Sequence, residues 1–233
     1  MKPPTLANLM LDGREPFAYP PPLAICVRKV LGGEYEYPIL PDAQPVRRVL
    51  DIGSSVGAFA CWAFKRHGRA VFVDCYEPLP PAADLCELNK PPGAKVHRVA
   101  ITSKADVEPT VPLHLGSDWG LSSLDPTLNP RSGQIVTVPT MHPRDLPRAD
   151  LVKVDCEGAE IDILGSYPFL DQVSVCMWEW HRERDRVPLE QLMVGAGLRL
   201  FKSVHECVSL GLQVWVRSKA VNGPGRYVMP LPG

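Results

Sequence analysis

The sequence predicts an α/β fold, with a mostly parallel sheet covered by helices on both faces and an antiparallel hairpin at its C-terminal end. Three observations carry this expectation. Strand-like apolar runs alternate with stretches of helical spacing between residues 46 and 101, and again between 149 and 197. The first run ends in Asp51-Ile52-Gly53-Ser54-Ser55-Val56-Gly57, an acidic residue and two glycines leading into a helix-like pattern. Such a turn brings a helix N-terminus to a ligand. Finally, two short alternating runs at 205–210 and 213–217 meet at Gly211 and suggest the closing hairpin.

Bulk properties narrow the classes. A chain of 233 residues suits one α/β domain with some elaboration. A net charge of −1 gives no reason to expect a phosphate-tracking surface, so nucleic acid is not an expected partner. The seven cysteines are odd in number and contain no C-x-x-C pair, which points to buried reduced thiols and a cytoplasmic protein rather than to disulfides or zinc. No apolar run approaches the ~20 residues of a membrane span, and the N-terminus lacks a signal-peptide core. The 26 prolines cluster at the ends and in connections, where they stiffen loops.

In chain order, residues 1–45 form a Pro-rich N-terminal cover with a short strand or helix around 23–27. Residues 46–233 form the main domain, with an insertion at about 103–148. A first strand at 46–52 leads to a helix at 56–67 carrying Phe59, Trp62, Ala63 and Phe64, closed by Gly68. A second strand begins at 70 and ends at Tyr76-Glu77-Pro78, a helix spans 81–88, and a third strand spans 96–101. In the insertion, 107–115 and 134–140 pair antiparallel around a loop at 116–124. A strand at 149–155, a helix at 157–167, a strand at 173–180 and a helix at 187–196, stopped at Gly197, precede the hairpin.

Ligands of open parallel sheets bind beyond the carboxyl ends of the strands. Those ends carry Asp51-Ile52-Gly53, Glu77-Pro78, Ala100-Ile101-Thr102, Asp155-Cys156-Glu157-Gly158 and Glu179-Trp180-His181. Glu77, 20 residues after Gly57 at the end of the second strand, is positioned to accept both hydroxyls of a ribose. The turn's D-x-G-x-x-x-G spacing differs from the G-x-G-x-x-G that cradles a dinucleotide pyrophosphate. It suits a nucleoside with an amino-acid tail, Asp51 engaging an ammonium and turn amides a carboxylate. S-adenosylmethionine has that tail and a ribose. The expected cofactor wall is therefore Asp51, Gly53, Ser54, Ser55, Gly57, Phe59, Glu77, Pro78, Ala100, Ile101 and Asp155.

With these residues in view, the chain resembles the FkbM-type S-adenosylmethionine-dependent methyltransferases from about residue 35 to 197. The carriers are Val49 to Gly57, Tyr76-Glu77-Pro78 with Asn89, Ala100-Ile101 and Gly120-Leu121-Ser122-Ser123-Leu124. The most specific is Leu151-Val152-Lys153-Val154-Asp155-Cys156-Glu157-Gly158-Ala159-Glu160. Family members commonly carry Ala-Asn where this chain has Ser54-Ser55. The resemblance implies a Rossmann-like class I methyltransferase fold with a seven-stranded sheet. It also implies methyl transfer, mostly to hydroxyl oxygens of sugars, polyketides or other small metabolites, so the expected partner is a small-molecule or glycan acceptor.

Such a reaction is an in-line displacement at a sulfonium methyl, in which the protein positions and deprotonates the acceptor. Asp155, Glu157, Glu179 and His181 are the candidates for that work, and the ordinary pKa of His181 suits a base at neutral pH. The same four residues suit Mg²⁺ or Mn²⁺. Their spacing leaves a metal open, and the expectation leans to chemistry without one. Lys153 is expected to pair with Asp155 or Glu160. Trp178 and Trp180 read as core residues. Trp119 and Ser123 in the long loop and Tyr35 in the cover are candidates for contact with substrate, with Tyr37 beside Tyr35. The competing readings are an NAD-dependent oxidoreductase, disfavoured by the turn spacing, and a non-catalytic nucleotide-binding module. Base methylation lacks its D/N-P-P-Y/F/W after the fourth strand.

Overall fold

The computed structural model describes residues 6–9, 16–40, 44–116, 121–128, 133–207 and 210–217. The cover contains an antiparallel pair, β1 (Ala7–Leu9) and β2 (Phe17–Tyr19), and a helix, α1 (Ala24–Leu31). The main domain then alternates β3 (Arg48–Ile52), α2 (Ala58–His67), β4 (Phe72–Tyr76), α3 (Pro80–Asn89) and β5 (Ala94–His97). A second sheet is formed by β6 (Ala100–Ile101), β7 (Thr110–His114) and β8 (Ile135–Met141). The alternation resumes with β9 (Leu151–Val154), α4 (Glu160–Ser166), β10 (Val175–Trp180) and α5 (Glu183–Gly195), and ends in the hairpin β11 (Arg199–Cys207) and β12 (Leu210–Val216).

The central sheet has seven strands in the order β11-β12-β10-β9-β3-β4-β5. The inner pairs are parallel, and β12 runs antiparallel to both β10 and β11. The mostly parallel sheet with its antiparallel hairpin is the architecture the sequence predicts. Alternation divides the side chains between two cores. Leu50, Val152, Cys176, Trp178 and Trp180 face α4 and α5, whereas Val49, Leu151, Val175 and Met177 face α2 and Tyr35. Both tryptophans are thus core residues, as expected. The α2 face also carries Asp51 and Lys153, adjacent in register, and Glu179 two residues beyond Met177. Polar groups are therefore gathered at the carboxyl end of one face of the sheet.

Several expectations change, and α5 starts four residues before the expected helix at 187–196. The single strand at 96–101 is two strands: β5 leaves the central sheet at His97, whose ring stacks on Tyr76 at 4.6 Å and bonds Asp74 at 2.9 Å, and β6 pairs instead with β8. The hairpin does not turn at Gly211, which lies within β12 opposite Trp180 and His205. A Cβ at that glycine would sit 2.1 Å from the Trp180 indole and 2.4 Å from the Val204 carbonyl, so close packing, not a turn, requires it. Helix α4 begins three residues later than expected, because Glu157 and Gly158 adopt left-handed φ values of 51° and 98°. The cysteines also divide: Cys61, Cys75, Cys86 and Cys176 are buried, but Cys26 and Cys207 are exposed.

The cover is fastened from below by Asn89 at the end of α3. Its Nδ2 donates to the Ala18 and Val56 carbonyls at 2.7 and 2.8 Å, and its Oδ1 accepts from the Ala18 amide at 2.8 Å. One side chain thereby joins β2 to the glycine turn. Leu23 and Val27 complete the seam against Val56, Ala58 and Cys61. Among the described residues no helix is long and apolar enough to cross a membrane.

Candidate active site

A cavity of about 490 Å³ opens at the carboxyl ends of β3, β4, β9 and β10. Its size is that of a small-molecule site. Of the expected cofactor residues, Gly53, Ser54, Ser55, Phe59, Glu77, Pro78, Ala100, Ile101 and Asp155 line it, as do Glu157, Glu179, His181 and Tyr35. Residues from six separated stretches of sequence thus meet around one space.

The turn after β3 is shaped by contact with β9. A Cβ on Gly53 would lie 1.8 Å from the Asp155 carbonyl, at a φ of +77°. The turn amides are largely spent inside the protein, contrary to expectation. Gly53 and Ser54 donate to the Tyr76 carbonyl, Gly57 donates to Ser54, and Ser55 donates to Glu77. Gly57 does not reach the cavity, because it caps α2 and packs on Cys86.

Glu77 is 8% exposed and spans the turn and the next helix. Its Oε2 accepts from the Ser55 amide and its Oε1 from the Leu79 amide, each at 2.8 Å. Burial pushes its pKa up to about 7, although the two amide hydrogen bonds oppose the shift.

Asp51 corrects another expectation. It is fully buried, does not line the cavity, and faces Lys153 Nζ at 3.3 Å. The parallel register of β3 and β9 places this lysine where a ligand's ammonium was expected. Lys153 also donates to the Gly53 carbonyl at 2.6 Å and lies 3.6 Å from Asp155; its partners are thus Asp51 and Asp155, not Glu160. Burial opposes its charge, but Asp51 and Asp155 outweigh that and raise its pKa.

At the far wall, His181 is surrounded by carboxylates. Nδ1 lies 3.1 Å from Glu160 Oε1, and Nε2 lies 3.4 Å from Glu157 and 3.7 Å from Asp155. Burial disfavours its charge, yet Glu157 and Glu160 hold its pKa well above the ordinary value. This departs from the neutral imidazole expected of a base, because the cluster stabilises the charged form. Glu179 accepts a 2.6 Å hydrogen bond from the Tyr35 hydroxyl, and burial, then the charge of Asp155, pushes it up to about 8. Its residual exposure is to the cavity, whereas Tyr35 is 1% exposed.

Ser123 is not a wall residue either. It is buried, and its hydroxyl donates to the Glu157 carbonyl, fixing the left-handed residue. The adjacent Leu121, Ser122 and Leu124 line the cavity in its place. Tyr37 is turned away onto His67, and Trp119 lies outside the described residues. The sequence reading missed the contribution of α1, from which Val27 and Val30, with Leu23 just before it, line the cavity. Their i, i+4, i+7 spacing was a legible signal of one apolar helix face. It also missed Glu160, which only the fold brings behind His181.

No protein-family model matches the chain, and no curated protein matches it. Among solved structures, the chain is similar to the methyltransferase FkbM of Methylobacillus flagellatus KT, with a TM-score of 0.53 at 12% identity. That match covers 79% of this chain and 47% of the other, so the chain spans about half of that protein's length. It also matches fibrillarin of Aeropyrum pernix, solved with natively bound S-adenosyl-L-methionine, with a TM-score of 0.48 at 10% identity over 81% of this chain and 74% of that one. A ribosomal protein L11 methylase of Lactobacillus delbrueckii subsp. bulgaricus matches with a TM-score of 0.44 at 13% identity over 76% and 72%. The likeness to the Methylobacillus protein, together with the strand order and closing hairpin, shows the fold: the chain has the same Rossmann-like α/β architecture as that protein.

Proposed function

We propose that the chain is an S-adenosylmethionine-dependent methyltransferase acting on a hydroxyl of a small metabolite or sugar. The observation that carries this reading is Glu77, a buried carboxylate at the end of β4, beside the glycine turn and in the wall of a cavity shared with Asp155, Glu157 and Glu179. Each Glu77 oxygen holds one amide and retains acceptor capacity, which fits the two hydroxyls of a ribose. Pro78, Ala100 and Ile101 offer an apolar slot beside it for the base. With the turn amides engaged, the first-turn amides of α2 are the donors for a tail carboxylate.

When bound, the cofactor would supply an electrophilic methyl on a sulfonium to an acceptor oxygen, and the acceptor's hydroxyl proton would need a base. The chain's own residues must orient the acceptor and take that proton. Both nitrogens of His181 face carboxylates, so it holds the cluster in place. Glu179, which lines the cavity beside Asp155, is the proton acceptor in this proposal. The segment around α1 acts as the cover, supplying Leu23, Val27 and Tyr35 to the acceptor side.

Calorimetry with S-adenosylhomocysteine and with NAD tests the reading. Micromolar binding of the first, weakened by Glu77→Ala by the ~1.5–3 kcal/mol of a charged hydrogen bond, is expected. Binding of NAD alone would replace this reading with that of an oxidoreductase. On an acceptor found by metabolite screening, Glu179→Gln should slow turnover; full activity in this variant removes the proton-acceptor assignment.

A further inference from the structure

Three carboxylates, those of Asp155, Glu157 and Glu160, converge on the one imidazole of His181. The nearest other cation, Lys153, is already matched by Asp51. Glu160 is 1% exposed, and its Oε2 has no hydrogen-bond partner among the described residues. Glu160 thus keeps one oxygen without a protein partner among those residues, while its other oxygen is held by His181 and two amides.

The geometry supplies a place for a cation. One ligand atom from each of Asp155, Glu157 and His181 lies within 4.8 Å of the others. The Nε2 separations of 3.4 and 3.7 Å from Glu157 and Asp155 are close to the ~3 Å between neighbouring ligands of an octahedral ion with ~2.1 Å bonds. The other nitrogen, Nδ1, is held by Glu160 Oε1, which also accepts from the Cys156 and Gly158 amides at 3.0 and 3.1 Å. A carboxylate on the far nitrogen is the arrangement that orients a metal-bound imidazole and raises its basicity. All three ligands line the cavity, so solvent or an acceptor oxygen can fill the remaining positions.

We propose that Asp155, Glu157 and His181 bind a divalent cation of the Mn²⁺ and Mg²⁺ type, oriented through Glu160. Two carboxylates with one imidazole suit Mn²⁺ particularly, since oxygen ligands select hard ions and the imidazole favours a transition metal. If the methyl-transfer reading holds, on which this role alone rests, the ion receives the acceptor hydroxyl and favours its deprotonation while Glu179 stays free to take the proton. The sequence leaned against a metal because spacing could not show the convergence of residues 24 to 26 positions apart across two strands.

Loss of the free Mn²⁺ signal in electron paramagnetic resonance tests the site without any substrate. The full chain should bind one Mn²⁺, competed by Mg²⁺. His181→Ala should abolish binding, and Glu160→Gln should weaken it ~10-fold or more, as outer ligands do. Circular dichroism and S-adenosylhomocysteine calorimetry on the same samples check that the variants are folded. A wild-type chain that leaves Mn²⁺ free at millimolar concentration overturns the proposal, as does binding that survives both His181→Ala and Glu157→Gln. A chain that binds S-adenosylhomocysteine but no Mn²⁺ loses the cation site alone. One that binds Mn²⁺ but no S-adenosylhomocysteine keeps the site and loses the methyl-donor reading.

Discussion

Glu77 ties the proposed donor site to pH. Its carboxyl lies at about 7 instead of the usual 4.5, because burial outweighs the amides of Leu79 and Ser55. A carboxyl raised in the folded state contributes stability that is complete below its unfolded pKa and is lost as pH rises through its folded one. The interval from 4.5 to about 7, at ~1.4 kcal/mol per pH unit, corresponds to about 3 kcal/mol lost between pH 4.5 and 8. Glu77→Gln has no proton to lose. Urea unfolding at pH 5, 6, 7 and 8 should therefore show the wild type losing stability relative to the variant as pH rises. Ligand affinity should move the opposite way. A ribose diol donates to the carboxylate, so S-adenosylhomocysteine should bind roughly tenfold more weakly at pH 6 than at pH 8 in the wild type and without that dependence in Glu77→Gln. A stability difference that stays flat from pH 5 to 8 refutes the burial argument, and a pH-independent wild-type affinity removes Glu77 from the ribose.

Three other perturbations examine the frame of the site. Lys153→Met leaves Asp51 buried without its cation and should cost ~3–5 kcal/mol in urea unfolding, with Asp51→Asn in the same chain restoring much of it; equal stability of the single and double variants would deny the pairing. Gly211→Ala drives a methyl group into the Trp180 indole and the Val204 carbonyl, and should cost ~3 kcal/mol; a loss under about 0.5 kcal/mol would mean the hairpin can shift freely. Tyr35→Phe removes the hydrogen bond to Glu179 and should cost ~1 kcal/mol, tempered by the exposure of Glu179 to the cavity, while lowering the pH at which Glu179 titrates is not expected, since the lost donor favours the carboxylate. A carboxyl-specific infrared titration that moves downward in the variant counts against that last assignment.

Local pattern made the frame of this fold legible. The strand and helix alternation, the carboxylates at strand ends and the glycine turn each depend on neighbours a few residues apart, and α2, β9 and β10 follow from them. The readings that changed depend on contacts distant in sequence. Asp51 looks available to a ligand until the β3–β9 register sets Lys153 beside it. Gly211 looks like a turn because the Trp180 ring that demands a glycine belongs to another strand. Ser123 looks like a substrate residue until the insertion folds it beneath Glu157. The acidic surroundings of His181 were likewise hidden, since Glu160 reaches it only when α4 packs behind β10.

Asn89 has a consequence for the walls of the cavity. Its Oδ1 and Nδ2 hold the Ala18 amide and carbonyl, and the same Nδ2 also donates to the Val56 carbonyl. The cover and the glycine turn therefore share a fastener, and neither can come loose without releasing bonds that steady the other. A ligand resting on the turn and under α1 stabilises both attachments together. Removing the Asn89 side chain loosens both at once.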